Sequence, residues 1–265
     1  MDVFYERACQ CCGQMVYSYL KRCPYCLTKI KNAVRAGITA PVNEPVNGAI
    51  REIADSGRQE KVVFTSSVSS KEVLRSNLLA VRDSLSVDEK IKRSKLAIEH
   101  LLQIKRFNDC KVVLCYASFR NEVGTSELIR TLLAEGKIVS VPLISVGLSG
   151  ESGFSAIRIR DYDADLKPGT FGILEPSLLS SSGSIDFEII EPQRLDAVIL
   201  PGVCFDRSGN RIGFGKGYFD RYLANVKTDC FKVALAYSFQ VLESIPVDSH
   251  DMHMDMVVTD EIIIG

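Results

Sequence analysis

The chain has 265 residues, 46% of them hydrophobic and 25% charged, with a formal net charge of -1. These ordinary globular proportions exclude a collagen-like, coiled-coil or mostly disordered chain, and a core of ~200 residues can bury roughly 70% of its unfolded surface without staples. The near-zero charge gives no global pull toward nucleic acid or membranes. No apolar run approaches the ~18 residues of a membrane span, and the start of the chain lacks the order of a signal peptide, so a soluble cytoplasmic protein is expected.

The chain opens on a cluster of cysteines, Cys9-Gln-Cys11-Cys12-Gly13, and after ten residues Cys23-Pro24-Tyr25-Cys26. Two C-x-x-C turns, one through Gly and one through Pro, match the paired knuckles of a zinc ribbon. Each brings two thiolates to ~2.3 Å from one tetrahedral Zn²⁺. Cys9, Cys12, Cys23 and Cys26 are the expected ligands, with Cys11 an alternative to Cys9. A closed Cys₄ site has no open position for catalysis, so the zinc is expected to be structural and to replace the core that so short a segment cannot build. Residues 1–36 carry six Lys or Arg against two Asp or Glu, with Tyr17, Tyr19 and Tyr25 interleaved. That pattern suits either a nucleic-acid surface or a solvated module that docks a protein partner. The other four cysteines, Cys110, Cys115, Cys204 and Cys230, are expected to be small buried hydrophobes.

Residues 37–70 lose periodicity among Gly37, Pro41, Pro45, Gly48, Gly57 and Ser66–Ser70, and read as a linker with one short strand at Lys61–Thr65. From Lys71 the core domain, 71–265, alternates helices and strands. Leu74, Leu78, Val81 and Leu85 mark an amphipathic helix, and Ser86-x-x-Glu89 is a capping box for the next, with Val87, Ile91, Ile98 and Leu102 inward. Strands are expected at Lys111–Tyr116, Lys137–Pro142, Phe154–Ile159, Asp196–Leu200, Lys232–Ala236 and Met256–Thr259. A helix capped by Thr125 or Ser126 ends at Gly136, and another runs from near Lys216 to about Asn225. The alternation predicts a three-layer α/β fold with an open, mainly parallel sheet, in which ligands sit beyond the carboxyl ends of the strands.

The densest chemistry lies in Pro201-Gly-Val-Cys-Phe-Asp206-Arg-Ser-Gly209-Asn-Arg211-Ile-Gly213-Phe-Gly215-Lys216-Gly217-Tyr218-Phe219-Asp220-Arg221-Tyr222-Leu223. Glycines at 213, 215 and 217 admit close approach of a phosphate, and the loop leads into a helix N-terminus whose free N–H groups attract anions. Neither a P-loop nor the dinucleotide fingerprint fits this spacing. The pattern does closely resemble the signature of the 5-formyltetrahydrofolate cyclo-ligase family (5,10-methenyltetrahydrofolate synthetase), and the resemblance extends from Lys71 to about Glu261.

That resemblance implies a cyclo-ligase or NagB-like fold and an ATP- and Mg²⁺-dependent reaction on a reduced folate. The N5-formyl oxygen attacks the γ-phosphate, N10 closes the ring, and 5,10-methenyltetrahydrofolate, ADP and phosphate are released. The early K-x-x-x-R of the family falls on Lys71 and Arg75, which share one helix face in a basic stripe with Arg82. By resemblance these two, with Arg211 and Gly213, Phe214, Gly215, Lys216, Gly217, Tyr218 and Phe219, cradle ATP. Asp220 and Asp251 approach Mg²⁺, and Lys71, Arg75, Arg211 and Lys216 neutralise charge. His250 and His253 are read as structural.

The folate side, by the same resemblance, involves Phe119, Glu122, Gly124, Phe214, Lys216 and Tyr218. Here Phe119-Arg-Asn-Glu122-Val-Gly124-Thr125 departs from the family, which has an acidic residue where Gly124 stands. That second acidic position is expected to hydrogen-bond the pterin, so Glu122 or a water takes over, or the substrate differs. Two other readings stay open: a divergent ATP-dependent paralogue acting on another formyl or amide compound, and a non-catalytic nucleotide- or nucleic-acid-associated protein. A monomer is expected.

Overall fold

The computed structural model describes residues 6–8, 15–17, 70–146, 152–169, 173–177 and 187–265. The chain divides into two units, Met1–Asn47 and Gly48–Gly265. In the first, strands β1 (Glu6–Ala8) and β2 (Met15–Tyr17) pair antiparallel, with Arg7 opposite Val16. Cys9, Cys11, Cys12, Cys23 and Cys26, the linker and the strand expected at Lys61–Thr65 lie outside the described residues.

In the second unit, helix α1 (Lys71–Ser84) starts at Ser70, whose hydroxyl accepts from the Val73 amide. Helix α2 (Val87–Leu102) starts on the expected capping box: Ser86 Oγ accepts from the Glu89 amide, and Glu89 Oε2 from the Ser86 amide. Its inward face agrees with expectation at Ile98 and Leu102, which pack on the core, and differs at its start. Ser94, Ala97 and Leu101 are buried, whereas Val87 and Ile91 are 65% and 64% exposed. The first turns of α2 lie level with loops, Lys90 bonding Asn121 and Arg93 bonding Asp260, so no apolar layer covers them there.

A short helix α3 (Lys105–Asn108) leads to β3 (Val112–Cys115), followed by α4 (Ser126–Ala134), β4 (Ile138–Val146) and β5 (Ser152–Ile159). After α5 (Tyr162–Asp165) come the paired strands β6 (Leu166–Pro168) and β7 (Leu174–Pro176). Then follow β8 (Ala197–Leu200), β9 (Cys204–Asp206), β10 (Arg211–Ile212), α6 (Tyr218–Leu223), β11 (Phe231–Leu235), β12 (Val241–Leu242), β13 (Met256–Val258) and β14 (Ile263–Ile264).

The main sheet has seven strands in the order β14-β13-β11-β8-β3-β4-β5. The inner five run parallel, and β5 and β14 pair antiparallel at the edges. Strand β8 is buried at every residue because both faces are covered, as a parallel sheet of this kind requires. One core cluster packs Ala97, Leu101, Leu128, Ile129 and Leu132 against Val113, Ile199 and Val233, and a second packs Tyr222 and Leu223 against Val198, Leu200 and Ala234. The four cysteines of this unit are free and buried, as expected.

A third cluster positions the site. Leu74 and Leu78 of α1 pack on Val203, Cys204, Ile212 and Ile245, which belong to or adjoin the small sheet β10-β9-β12. The apolar face of α1 therefore seats the helix against the hairpin that carries the glycine-rich loop, and the neighbouring stripe of bases on α1 comes with it. Among the described residues, no helix is long and apolar enough to cross a membrane.

Candidate active site

The loops that leave β3, β8 and β11 at their carboxyl ends meet above the sheet, where an α/β fold collects its ligands. The loop after β8 is built on Asp206. This residue is 2% exposed, and its carboxylate accepts from the amides of Ser208 (2.9 Å), Asn210 (3.0 Å) and Ile245 (3.2 Å). It shapes the β9–β10 turn and is spent there. Beyond β10 the chain needs left-handed backbone twice, at Gly215 (φ 92°) and Gly217 (φ 62°), the latter capping α6. A Cβ at Gly215 would make only ordinary contact with the Arg75 guanidinium, 3.5 Å away, so it is the left-handed backbone that calls for glycine there. Helix α6 starts at Tyr218, two residues later than expected, because Gly217 is left-handed.

Arg75 Nε donates to the Gly213 carbonyl at 2.7 Å, linking α1 to the loop. Lys71, one turn earlier, donates to Asp248 Oδ2 at 2.7 Å and to Asp251 Oδ2. Burial works against the Lys71 ammonium, but these two carboxylates outweigh it and raise its pKa. Burial likewise pushes the Asp251 carboxyl up. The Lys71 ammonium and the Asp248 amide more than reverse this and hold it below the usual carboxylate range. Arg211 is 6% exposed and points inward, donating to Asp220 Oδ1 at 2.7 Å and to the Pro201 carbonyl at 3.2 Å. Asp220 Oδ1 also takes a long bond of 3.4 Å from the Met252 amide, which places it against the turn that carries Asp251.

Asp220 thus touches the backbone next to Asp251, and both carboxylates offer the hard oxygen donors that Mg²⁺ selects. The donor atoms of Asp248, His250 and Asp251 lie within 4.8 Å of one another. Asp248, which no motif in the sequence singles out, and His250, read as structural, both stand within three residues of Asp251. His253, also read as structural, bonds the Ser208 carbonyl of the β9–β10 turn.

Along the loop, Phe214 and Lys216 are exposed, and Lys216 has no ion pair among the described residues. Tyr218 is partly buried and carries Arg221 over its ring at 5.4 Å. Phe219 faces the core instead, meeting Phe154 edge-on at 5.0 Å. Arg82, expected in the basic stripe of α1, is 2% exposed. Its guanidinium lies 5.4 Å over the Phe214 ring, and Nη1 donates to the Gly202 carbonyl at 3.3 Å. It follows Leu74 and Leu78 at four-residue spacing, and these three are the buried residues of α1.

On the β3 side, the loop from Tyr116 to Thr125 is clamped from beneath by hydroxyls. Tyr116 donates to the Val123 carbonyl (2.9 Å), Tyr237 to the Glu122 carbonyl (3.1 Å), and Ser94 accepts from the Gly124 amide (2.9 Å). Thr125 holds no cap bond; its hydroxyl donates to the Tyr116 carbonyl at 2.7 Å. At the loop tip, Arg120 has the only positive φ of any non-glycine described (53°), and its guanidinium lies 5.0 Å over the Phe119 ring. The Glu122 carboxylate accepts from the Phe119 amide at 2.9 Å. Burial pushes this carboxyl up to about 7, against the pull of that amide and of the Arg82 and Arg120 charges. A Cβ at Gly124 would lie 3.7 Å from Ser94 Oγ, in ordinary contact.

The profile of the 5-formyltetrahydrofolate cyclo-ligase family matches residues 67–260. A 5-formyltetrahydrofolate cyclo-ligase of Mus musculus is 29% identical over 197 residues, covering 73% of this chain and 95% of the relative. A mitochondrial one of Arabidopsis thaliana is 31% identical over 229 residues, covering 79% of this chain and 77% of the relative. Among solved structures, the 5,10-methenyltetrahydrofolate synthetase of Aquifex aeolicus superposes with a TM-score of 0.61 at 36% identity, covering 73% of this chain and 91% of that one. The Mycoplasma pneumoniae synthetase, at 24% identity and a TM-score of 0.54, shares the fold.

Proposed function

The chain belongs to the 5-formyltetrahydrofolate cyclo-ligase family, and from that premise we propose how its residues divide the work of closing 5-formyltetrahydrofolate to 5,10-methenyltetrahydrofolate at the expense of ATP. The protein is an ATP-dependent ligase of reduced folates. What supports the assignment of residues is a run of contacts that links them: Lys71 to Asp251, Arg75 to the Gly213 carbonyl, and Asp220 to both Arg211 and the Met252 amide.

Little covalent chemistry is asked of the protein in such a transfer; positioning and charge neutralisation are. Arg75 and Lys216 face the triphosphate from the two sides of the loop, with Lys71 beside them. Arg211 acts one layer below, fixing Asp220 and the loop backbone. Asp220 and Asp251 hold Mg²⁺, which supplies neutralising charge to the phosphates when bound. Phe119, Phe214 and Tyr218 offer aromatic surface to the pterin. Glu122, with one oxygen anchored by the Phe119 amide, accepts from its amino-pyrimidine edge. Gly124 contributes its backbone to the clamp that holds Glu122 in place.

At the N-terminus, Cys9, Cys12, Cys23 and Cys26 hold a structural zinc that docks a protein or nucleic-acid partner; support comes from the two C-x-x-C spacings and from the β1–β2 pairing that brackets the first. A cytoplasmic monomer completes this reading.

The deciding experiment is absorbance in the methenyl-folate band with purified protein, Mg-ATP and 5-formyltetrahydrofolate. An ATP-dependent rise is expected. Absence of a rise while ATP still binds would transfer the chain to a paralogue with another formyl or amide substrate.

A further inference from the structure

The bases and the carboxylates of the site are paired with each other in this structure. Lys71 sits on Asp251 and Asp248, and Arg211 on Asp220. The two pairings differ in kind. The Arg211 side chain is 4% exposed, tied also to the Pro201 carbonyl, and belongs to the framework. Lys71 is the first residue of α1, a flexible four-carbon stem whose ammonium is held by carboxylates alone. Its side chain is 17% exposed, as is that of Asp251, so their pairing is only partly screened by water.

We propose that Lys71 is a resident counter-ion of the metal carboxylates, and that Mg²⁺ and nucleotide are taken up as one coupled event in which Lys71 moves from Asp251 to phosphate. The proposal rests on the assignment of Asp220 and Asp251 to Mg²⁺ and of Lys71 to ATP. A divalent cation on Asp251 would stand within a few ångströms of the ammonium, and like-charge repulsion keeps the metal site weak while Lys71 stays. A triphosphate offers the ammonium a denser anion. Once Lys71 has moved, Asp251 is free for the cation. Asp248 serves both states: its amide orients Asp251 at 2.7 Å, and its carboxylate, 59% exposed, holds Lys71 at the rim. Linkage then makes the coupling mutual, Mg²⁺ raising nucleotide affinity by the factor by which nucleotide raises that for Mg²⁺.

The test is calorimetric titration of the full chain with Mg²⁺ alone and with a non-hydrolysable ATP analogue in the presence and absence of Mg²⁺. Lys71→Met should bind Mg²⁺ alone about tenfold more tightly than the unaltered protein, while its analogue affinity falls; coupling of this kind spans roughly 5- to 150-fold. Lys71→Arg, which keeps the charge, should bind Mg²⁺ alone no more tightly than the unaltered protein. Asp251→Asn separates the two ways of failing. If it takes up Mg²⁺ with the analogue as the unaltered protein does, the metal assignment falls and the proposal with it. If it loses that uptake but Lys71→Met gains nothing for Mg²⁺ alone, the metal assignment stands and the counter-ion role is overturned.

Discussion

Glu122→Gln should stabilise the protein in a pH-dependent way while weakening its hold on the folate. Burial lifts the Glu122 carboxyl from its ordinary 4.5 to about 7, with Arg82 from α1 and Arg120 from its own loop acting in the opposite sense. Tyr116 and Tyr237, both near this loop, stay neutral across the range considered. The folded state thus holds the proton more tightly than the unfolded chain, and stability is lost as pH rises from about 4.5 to about 7. A displacement of that size corresponds to about 3 kcal/mol, accumulated by neutral pH and constant above it. Glutamine mimics the protonated acid and escapes the loss. The melting temperature of Glu122→Gln relative to the parent should therefore climb between pH 5 and 7, by ~6–12 °C for a core of this size, and then level off. Thermal unfolding by circular dichroism across pH 5–8 reads this directly. A difference that stays flat with pH would mean that Glu122 is ionised throughout and that burial does not govern it. In the same variant the Michaelis constant for 5-formyltetrahydrofolate should rise about tenfold or more, the cost of one charge-assisted hydrogen bond.

Asp220→Asn should abolish turnover and also lower stability by about 2–3 kcal/mol, because it strips the counter-charge from a nearly buried Arg211; the loss stays below that of a sealed pair since the Asp220 side chain is 20% exposed. Full activity would remove Asp220 from the metal site, and an unchanged melting temperature would remove the ion pair from the fold. Gly124→Asp should fold, since its Cβ has 3.7 Å to Ser94 Oγ, and its carboxylate should be received by Ser94. The Michaelis constant for the folate should then stay within about threefold, whereas a tenfold improvement would put position 124 in the pterin pocket. Cys12→Ser should bring zinc, measured by atomic absorption, well below one per chain and leave folate cyclisation intact. Loss of activity with the core still folded would show that the N-terminal unit is no independent appendage.

The sequence by itself determined whatever depends on near neighbours. The Ser86–Glu89 capping box, the buried strand at Val112–Cys115, the helix from Lys71 and the left-handed glycines of the 213–217 loop are set within a few residues by periodicity, capping chemistry and backbone sterics. The long glycine-rich signature carried the family for the same reason, since a contiguous loop writes its chemistry in contiguous residues. Tertiary structure alone decided the rest. Lys71 meets Asp251 across 180 residues and Arg75 meets Gly213 across 138, and no local pattern records which loops a sheet ordered β14-β13-β11-β8-β3-β4-β5 brings together. The same holds for Arg82, drawn under Phe214 although its helix face reads as basic, and for Val87 and Ile91, left exposed although their spacing reads as apolar. Periodicity says which residues share a face. What covers that face is settled only when the chain closes over it.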